Sequence, residues 1–314
     1  MNTGTAAKLG LLFLLAVSLS AFAQSPPGSL GYVLQADALA GSKREAVAKL
    51  AASGRDWIVL DAYFTPGEPW TATDLAAFRA GKAGRKVIAY LSIGEAEDYR
   101  PYWRKEWDPN HSGKPSAAAP PFLLTENHEW KGNYRVKYWQ PAWRAVILAE
   151  VDHIMAAGFD GVYLDIVDGF ETFERNDEEF EDDKVNPETK QSYRRDMIDF
   201  VEEIAARARK AKAAALVIPQ NGAQLFAHPD FLKAVDGVGI EDLFADGDGI
   251  QEPGDVKFTL DCLAPVIAAR KPVFDIEYAR KPEIRARVKK QAVAHGFVWL
   301  VTDRELKTLG ESGK

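Results

Sequence analysis

Short apolar runs alternate with longer helix-patterned runs along the chain from about residue 30 onward. The apolar runs are rich in β-branched residues and nearly continuous in hydrophobicity, as is typical of parallel strands that are buried on both faces. They predict eight strands, at Tyr32–Gln35, Trp57–Ala62, Lys86–Ser92, Gly161–Ile166, Ala215–Pro219, Gly237–Glu241, Pro272–Ile276 and Phe297–Val301. Helices are predicted at about 43–53, 71–82, 140–157, 188–212, 255–269 and 281–294, with Ser42, Thr71 and Thr73 as N-cap candidates.

Strands that alternate with helices predict a parallel α/β fold, and eight such units close most naturally into a (β/α)8 TIM barrel. An open, doubly wound sheet is the competing architecture, but the sequence contains neither the Gly-rich dinucleotide motif nor a P-loop. We expect a single barrel domain over 31–305 and a C-terminal tail at 306–314. Long loops after strands 3 and 4, Glu95–Trp139 and Asp168–Glu188, lie on the face where barrel enzymes build active sites.

The first residues have the pattern of a secretory signal peptide. Lys8 supplies positive charge, Leu9–Val17 is an apolar centre, and Ala21-Phe22-Ala23 has the small-x-small form of a cleavage site. We predict cleavage after Ala23, a short linker at 24–30 and a mature protein that is secreted or periplasmic. Since no later run approaches about 20 apolar residues, no membrane span is expected.

Charge and composition narrow the function. The 314 residues include 39 basic and 46 acidic side chains, a net charge of −7, so nucleic acid, which requires a clustered basic surface, is not an expected partner. The five histidines are scattered, without the spacing of a zinc hydrolase, and no G-x-S-x-G motif is present. We expect a monomer that uses no metal and no other cofactor.

Acids and amides follow most of the predicted strands. The strand ends read Asp61-Ala62-Tyr63, Gly94-Glu95, Tyr163-Leu164-Asp165, Gln220-Asn221, Glu241-Asp242, Asp275-Ile276-Glu277-Tyr278 and Thr302-Asp303. Because the carboxyl ends of parallel strands meet on one face of a barrel, these groups are expected to converge there. They either form structural ion pairs, since an unpaired buried carboxylate is costly, or build a carboxylate-based active site.

Paired carboxylates with aromatic side chains close by suit the hydrolysis of a glycosidic bond. One carboxyl protonates the leaving oxygen while the other attacks the anomeric carbon or activates water. The loop Glu95–Trp139 contains eight Trp and Tyr residues, and flat aromatic faces suit the C–H faces of sugars. The chemistry predicted from the residues is therefore the hydrolysis of a glycosidic bond.

Four segments resemble the endo-α-1,4-polygalactosaminidase family, glycoside hydrolase family 114: Trp57–Asp61, Val87–Glu97, Gly158–Asp165 and Gly239–Glu241. The resemblance extends over roughly residues 30–304 and is most specific in Y-L-S-I-G-E and G-F-D-G-V-Y-L-D. It implies a metal-free barrel that cleaves α-1,4-linked polymers containing galactosamine. It also implies that Asp165 and Glu241 match the family's catalytic aspartate and glutamate.

We expect Asp165 to act as nucleophile and Glu241 as general acid/base in a retaining mechanism, since barrel α-galactosidases use the same two strands; an inverting mechanism stays open. Because unacetylated galactosamine is cationic, Asp61 or Glu95 is expected to pair with its amine. The alternatives to an endo-glycosidase are a non-catalytic polysaccharide-binding barrel and a glycosidase for another α-linked polymer. The candidates for substrate contacts are Asp61, Tyr63, Glu95, Tyr163, Asn221 and Tyr278.

Overall fold

The structure is a computed structural model that describes residues 27–176 and 179–314. The predicted signal peptide at 1–23 and the start of the linker lie outside the described residues. Within those ranges eight parallel strands form the centre: β1 (Leu30–Val33), β2 (Trp57–Asp61), β3 (Lys86–Ser92), β4 (Gly161–Asp165), β5 (Leu216–Pro219), β6 (Val238–Glu241), β7 (Val273–Glu277) and β8 (Val298–Val301). All eight were predicted from their apolar runs, with ends that differ by at most two residues.

Helices pack against the outside of the strands: α1 (Lys43–Ala52), α2 (Ala72–Ala80), α3 (Pro141–Ala157), α4 (Tyr193–Ala211), α5 (Pro229–Ala234), α6 (Pro253–Ala268) and α7 (Pro282–His295). Their starts follow from local chemistry. The Ser42 side chain accepts a hydrogen bond from the Glu45 N–H, and Thr71 forms a capping box with Asp74. Thr73 lies inside α2 and caps no helix. The prediction missed α5 because its six residues are too few to show a helical period.

The strands follow one another around the barrel in chain order. Strands β1 to β5 form one parallel sheet and β6 to β8 another, and a bridge between Gln220 and Gly239 continues the ladder from β5 to β6. An antiparallel strand, Glu311–Gly313, pairs with β8, and the Ser312 hydroxyl accepts a 2.8 Å hydrogen bond from the N–H of Leu30 in β1. The chain is therefore a TIM barrel, as predicted, and part of the segment assigned to a tail lies at the seam between β8 and β1.

Alternating side chains along each strand belong to two apolar layers. One layer fills the barrel and includes Tyr32, Val59, Tyr163 and Ile276; a larger layer lies between the strands and the helices. Since side chains alternate with a period of two, Asp165 shares the inward face of β4 with Tyr163. Inward-facing residues at the strand ends therefore form the floor of any site on this face of the barrel.

The long loop after β3 is folded. It forms a three-stranded antiparallel sheet from Glu95–Glu97, Leu123–Glu126 and Asn133–Val136, together with a 3-10 turn at Lys105–Trp107. Many of its aromatic residues are core residues: Trp107, Phe122 and Tyr134 are buried. Only a few, among them Tyr99 and Trp130, remain exposed.

The remaining elements of the described chain are short. They are the helices Ala36–Leu39 and Glu171–Glu174, the 3-10 turns Val167–Phe170 and Ala223–Ala227, and the strand pairs Tyr63–Thr65 with Glu68–Pro69 and Arg175–Asn176 with Glu179–Phe180. None of the helices within 27–176 and 179–314 combines the length and the hydrophobicity required to cross a bilayer.

Candidate active site

A cleft of about 530 Å³ lies at the carboxyl ends of the strands. It is lined by seven of the eight site residues predicted from the sequence, namely Asp61, Tyr63, Glu95, Asp165, Asn221, Glu241 and Tyr278. Further lining residues include Tyr90, Glu97, Arg100, Trp130, Asp168, Gln220 and Arg304. Among the described residues, no group of three or more His, Cys, Asp or Glu side chains is arranged to hold a metal ion.

Asp165 ends β4 and is held by three donors. Its Oδ2 accepts a 2.7 Å hydrogen bond from the Tyr90 hydroxyl, and its Oδ1 accepts bonds of 2.8 Å from the Ile166 N–H and 3.3 Å from the Gln220 amide. Burial raises the pKa of Asp165, and the hydrogen bonds from Tyr90 and Ile166 partly offset that rise. Donors that favour the charged form and fix its orientation suit a carboxylate that attacks an electrophilic carbon.

Glu241 ends β6 and has a different environment. The Tyr278 hydroxyl donates to its Oε1, and the Asn221 amide donates to its Oε2 at 3.3 Å. Burial, together with the charge of Asp165, raises the pKa of Glu241 to about 7. A carboxyl that titrates near neutral pH can give a proton to a leaving group and later take one from water.

Left-handed backbone conformations follow the strand ends at this face. Ile166, Asn221 and Asp242 have φ of 56°, 59° and 50°, which is unusual for residues other than glycine and costs on the order of 1–3 kcal/mol at a β-branched residue. The turn at Ile166 is enclosed by the loop after β3, where a Cβ on Gly94 would lie 2.4 Å from the Ile166 carbonyl oxygen. The glycine of Y-L-S-I-G-E is therefore required by the close approach of these two loops.

Asp61 is already neutralised by a neighbouring cation. Its two carboxylate oxygens lie 2.8 Å from Nη1 and Nη2 of Arg100, and its Oδ1 also accepts a bond from the Tyr63 N–H. The same guanidinium bonds Glu97 through its Nε at 2.5 Å. Arg100 is therefore shared by two acids, and the pKa of Arg100 lies well above its ordinary value because these charges outweigh the effect of burial.

Glu95 and Asp168 lack such a partner. The Glu95 Oε1 accepts a 2.9 Å hydrogen bond from Asn127, but its carboxyl forms no ion pair within the described residues and is 3% exposed. Asp168, in the turn after β4, lines the cleft with no side-chain donor among those residues. Burial, with the nearby charge of Asp165, raises the pKa of both carboxyls. The cleft therefore has a surplus of acid around Asp165, which a bound cation would compensate.

Tyr163 does not line the cleft, although the sequence predicted a substrate contact. It lies two residues before Asp165 on the inward face of β4, so it occupies the next layer down, fully buried. Its ring packs on Tyr32 at 5.1 Å between centroids, and its hydroxyl fills the space that a Cβ on Gly239 would need. Tyr163 therefore supports the floor of the site from inside the barrel.

The acids of β7 also do not converge on the cleft. Ile276 and Tyr278 take the inward positions of this strand, so Asp275 and Glu277 point outward into the layer beneath the helices, where both are fully buried. The expectation that these acids meet the others on one face is wrong because it ignores the alternation along the strand. The loop after β4, which was expected on this face, contributes its first acid, Asp168, to the cleft.

Several residues of the cleft were not selected from the sequence. Tyr90 carried a usable signal, because it is a polar residue on the inward face near the end of β3. Arg304 carried none, since its acidic partner Asp242 lies 62 residues away along the chain. Arg100 has one local partner, Glu97, but the carboxylate it binds with two nitrogens, Asp61, lies 39 residues away. Nothing local predicts such pairs.

A TIM barrel with a carboxylate-lined cleft at its strand ends is an architecture suited to glycoside hydrolysis. The sequence profile of glycoside-hydrolase family GH114 matches residues 33–313, and the chain belongs to this family and is a glycoside hydrolase. An uncharacterized protein of Deinococcus radiodurans is 36% identical over 255 residues, which cover 80% of this chain and 74% of that protein. The uncharacterized protein MJ1477 of Methanocaldococcus jannaschii is 37% identical over 243 residues, covering 73% and 64%.

Solved structures share the fold. The glycoside hydrolase domain of PelA from Pseudomonas aeruginosa superimposes with a TM-score of 0.63 at 20% identity, covering 91% of this chain and 98% of that one. Aspergillus fumigatus Ega3 in complex with galactosamine superimposes with a TM-score of 0.62 at 19% identity, covering 90% and 92%. The resemblance inferred from the sequence motifs is confirmed.

Proposed function

We propose that the protein is an exported endo-glycosidase that cleaves an α-1,4-linked exopolysaccharide containing galactosamine and N-acetylgalactosamine, with Asp165 and Glu241 as its catalytic pair. The observation that carries this proposal is the pair of buried carboxyls, Asp165 at the end of β4 and Glu241 at the end of β6, that line one cleft. Tyr90 and the Ile166 N–H donate to Asp165 and offset part of the rise that burial causes in its pKa. Burial, together with the charge of Asp165, raises the pKa of Glu241 to about 7. The substrate class is supported by the galactosamine bound to Ega3, a protein of the same fold.

In the proposed retaining mechanism, Asp165 attacks the anomeric carbon while Glu241 gives its proton to the glycosidic oxygen. The bond to the leaving sugar breaks and a glycosyl ester on Asp165 forms. Glu241 then takes a proton from water, whose oxygen displaces Asp165 and restores both carboxyls to their starting states. In the inverting alternative, one carboxylate activates water directly. NMR of the first product distinguishes them, because initial release of the inverted anomer would exclude Asp165 as nucleophile.

Recognition of the amine is assigned to Glu95 rather than to Asp61. Both were candidates on sequence grounds, but Asp61 is paired with Arg100 at 2.8 Å. Glu95 is buried, lines the cleft and forms no ion pair within the described residues. An ammonium group placed there would gain a desolvated carboxylate partner without breaking an existing ion pair.

The test is incubation of the purified protein with partially deacetylated α-1,4-galactosaminan, followed by mass spectrometry of the soluble products. Asp165→Asn and Glu241→Gln proteins, which keep shape and remove charge, are the matched variants. We expect oligomers from the wild type and almost none from either variant. A wild type that retains the polymer without releasing oligomers would instead support a polysaccharide-binding barrel. Absence of both cleavage and binding would show that the substrate class is wrong.

A further inference from the structure

Arg304 lies in a rigid turn directly after β8. The Asp303 carboxylate closes this turn by accepting hydrogen bonds from the N–H of Lys307 at 2.9 Å, and from the N–H and hydroxyl of Thr308 at 3.0 and 2.6 Å. The Leu306 carbonyl accepts bonds from the backbone N–H groups of residues 34 and 35, which follow β1. The backbone that carries Arg304 is therefore tied to the barrel on both sides of the β8–β1 seam.

The Arg304 guanidinium contacts two of the residues next to Glu241. Its Nη2 lies 2.5 Å from Oδ2 of Asp242, the residue next in the chain after Glu241. Its central carbon lies 4.3 Å from the ring centre of Tyr278, whose hydroxyl donates to Glu241 Oε1. The side chain is 47% exposed and lines the cleft. Arg304 thus holds both Asp242, the next residue in the chain, and Tyr278, the tyrosine that donates a hydrogen bond to Glu241.

We propose that Arg304 is a positioning residue for the proton-transferring carboxyl: it clamps Tyr278 and Asp242 and thereby sets the orientation and the charge of Glu241. This inference rests on the proposed role of Glu241 as general acid/base. A planar guanidinium can stack on a ring and bind a carboxylate at once, which an ammonium cannot do equally well. Small displacements of a catalytic group are expensive, so a clamp that acts through neighbours can control the rate.

The electrostatic part of the proposal depends on everything that faces Glu241. The titratable groups around it are Asp165 and Tyr163 from β4, Asp168 from the turn after β4, Tyr32 from β1, Tyr278 from the end of β7, Asp242 from its own loop, and Arg304. Arg304 is the cation of this set, and its charge favours the ionised form of Glu241. Removal of that charge is therefore expected to raise the pKa of Glu241 further.

The test compares Arg304→Gln and Arg304→Lys with Arg280→Gln. Arg280 is the matched control, since it binds Asp248 in the loop after β6 at 3.1 Å but lies outside this cleft. For Arg304→Gln we expect kcat on the galactosaminan to fall on the order of tenfold, with little change in KM. The alkaline limb of the pH–rate profile should move to higher pH by on the order of one unit. Arg304→Lys keeps the positive charge, so its alkaline limb should lie at the wild-type pH while its kcat stays low. Arg280→Gln should match the wild type in both kcat and pH profile.

A double variant tests whether Arg304 acts on Glu241 through Tyr278. If Arg304 acts through the tyrosine, adding Arg304→Gln to Tyr278→Phe lowers kcat by less than it does in the wild type. A direct contact with substrate would instead raise KM, leave the pH profile in place and add fully to Tyr278→Phe; that result would overturn the proposal. So would wild-type kcat and pH dependence in Arg304→Gln. Circular dichroism identifies folded variants, and Arg304→Lys carries the kcat test if the Gln variant does not fold.

A readout without catalysis separates this inference from the proposed function. The Glu241 carboxyl can be titrated by carbon-13 NMR in wild-type and Arg304→Gln protein. A higher pKa in the variant supports the clamp even if the polymer is not a substrate, and an unchanged pKa refutes its electrostatic part. Loss of cleavage in the wild type itself would count against the proposed function alone.

Discussion

Replacement of Glu277 by Gln should stabilise the protein more at high pH than at low pH. Glu277 and Asp275 are fully buried on the outward face of β7. The Glu277 Oε1 accepts a 2.7 Å hydrogen bond from the Phe244 N–H, while Oε2 lies buried beside Asp275. Burial raises the pKa of both carboxyls, so each keeps its proton to a higher pH than it would in water. A Gln at position 277 keeps an oxygen that accepts the hydrogen bond from the Phe244 N–H, but it has no carboxyl that titrates.

The size of the effect follows from the titration. Burial is the largest cause that raises the pKa of Glu277 from its ordinary 4.5 to about 8. Between those pH values the unfolded chain has lost a proton that the folded chain keeps. The contribution of this group to stability is therefore complete below about pH 4.5 and is lost as the pH rises through about 8. The loss amounts to about 1.4 kcal/mol per pH unit and roughly 5 kcal/mol in all, an upper figure.

The assay is urea unfolding of wild-type and Glu277→Gln protein at pH 5, 6, 7 and 8, followed by tryptophan fluorescence. The stability of the variant relative to the wild type should increase with pH by most of that amount, while the cleft carboxyls contribute equally to both proteins. Glu188→Gln is the control: hydrogen bonds from Lys137 and Trp139 lower the pKa of Glu188 to about 2, so its difference from the wild type should stay constant. A pH-independent difference for Glu277→Gln, within about 1 kcal/mol, would refute the raised pKa of Glu277.

Four further predictions concern the cleft. The rate of cleavage should fall as the pH rises through about 7, where Glu241 loses its proton. Carbon-13 NMR of Asp165→Asn should give a lower pKa for Glu241, because the charge of Asp165 is one cause of its elevation. An unchanged pKa would show that Asp165 does not influence Glu241. Glu95→Gln should reduce the ratio of kcat/KM for deacetylated over acetylated polymer, and an unaltered ratio would exclude Glu95 as the amine's partner. Trp130→Ala should raise KM for long polymer more than for short oligomers, because Trp130 is 47% exposed and lines the cleft. Phe258 is an exposed aromatic residue on α6 outside the cleft, so Phe258→Ala should leave KM unchanged. Equal effects of the two substitutions would exclude Trp130 from substrate binding.

The sequence was sufficient where the determining interaction is local. An apolar run that is buried on both faces predicts a strand whatever its neighbours are, so all eight barrel strands were found. Ser42 and Thr71 mark helix starts because a cap bonds a backbone group only three residues away. Asp165 and Glu241 end two such strands, and the resemblance to family 114 distinguished them from the other acids at strand ends.

Only the tertiary structure decided which acids meet and which are neutralised. The direction of a strand side chain depends on its position in the pleat, so a shift of one residue moves it to the other face. Hence Asp275 and Glu277 leave the cleft while Tyr278 enters it. The partners that fix charge lie far apart along the chain, as with Tyr90 and Asp165, 75 residues apart. Such contacts form only when the barrel closes. The hydrophobic periodicity of the sequence predicts the strands and helices, but it carries no information about which side chains of different elements contact each other.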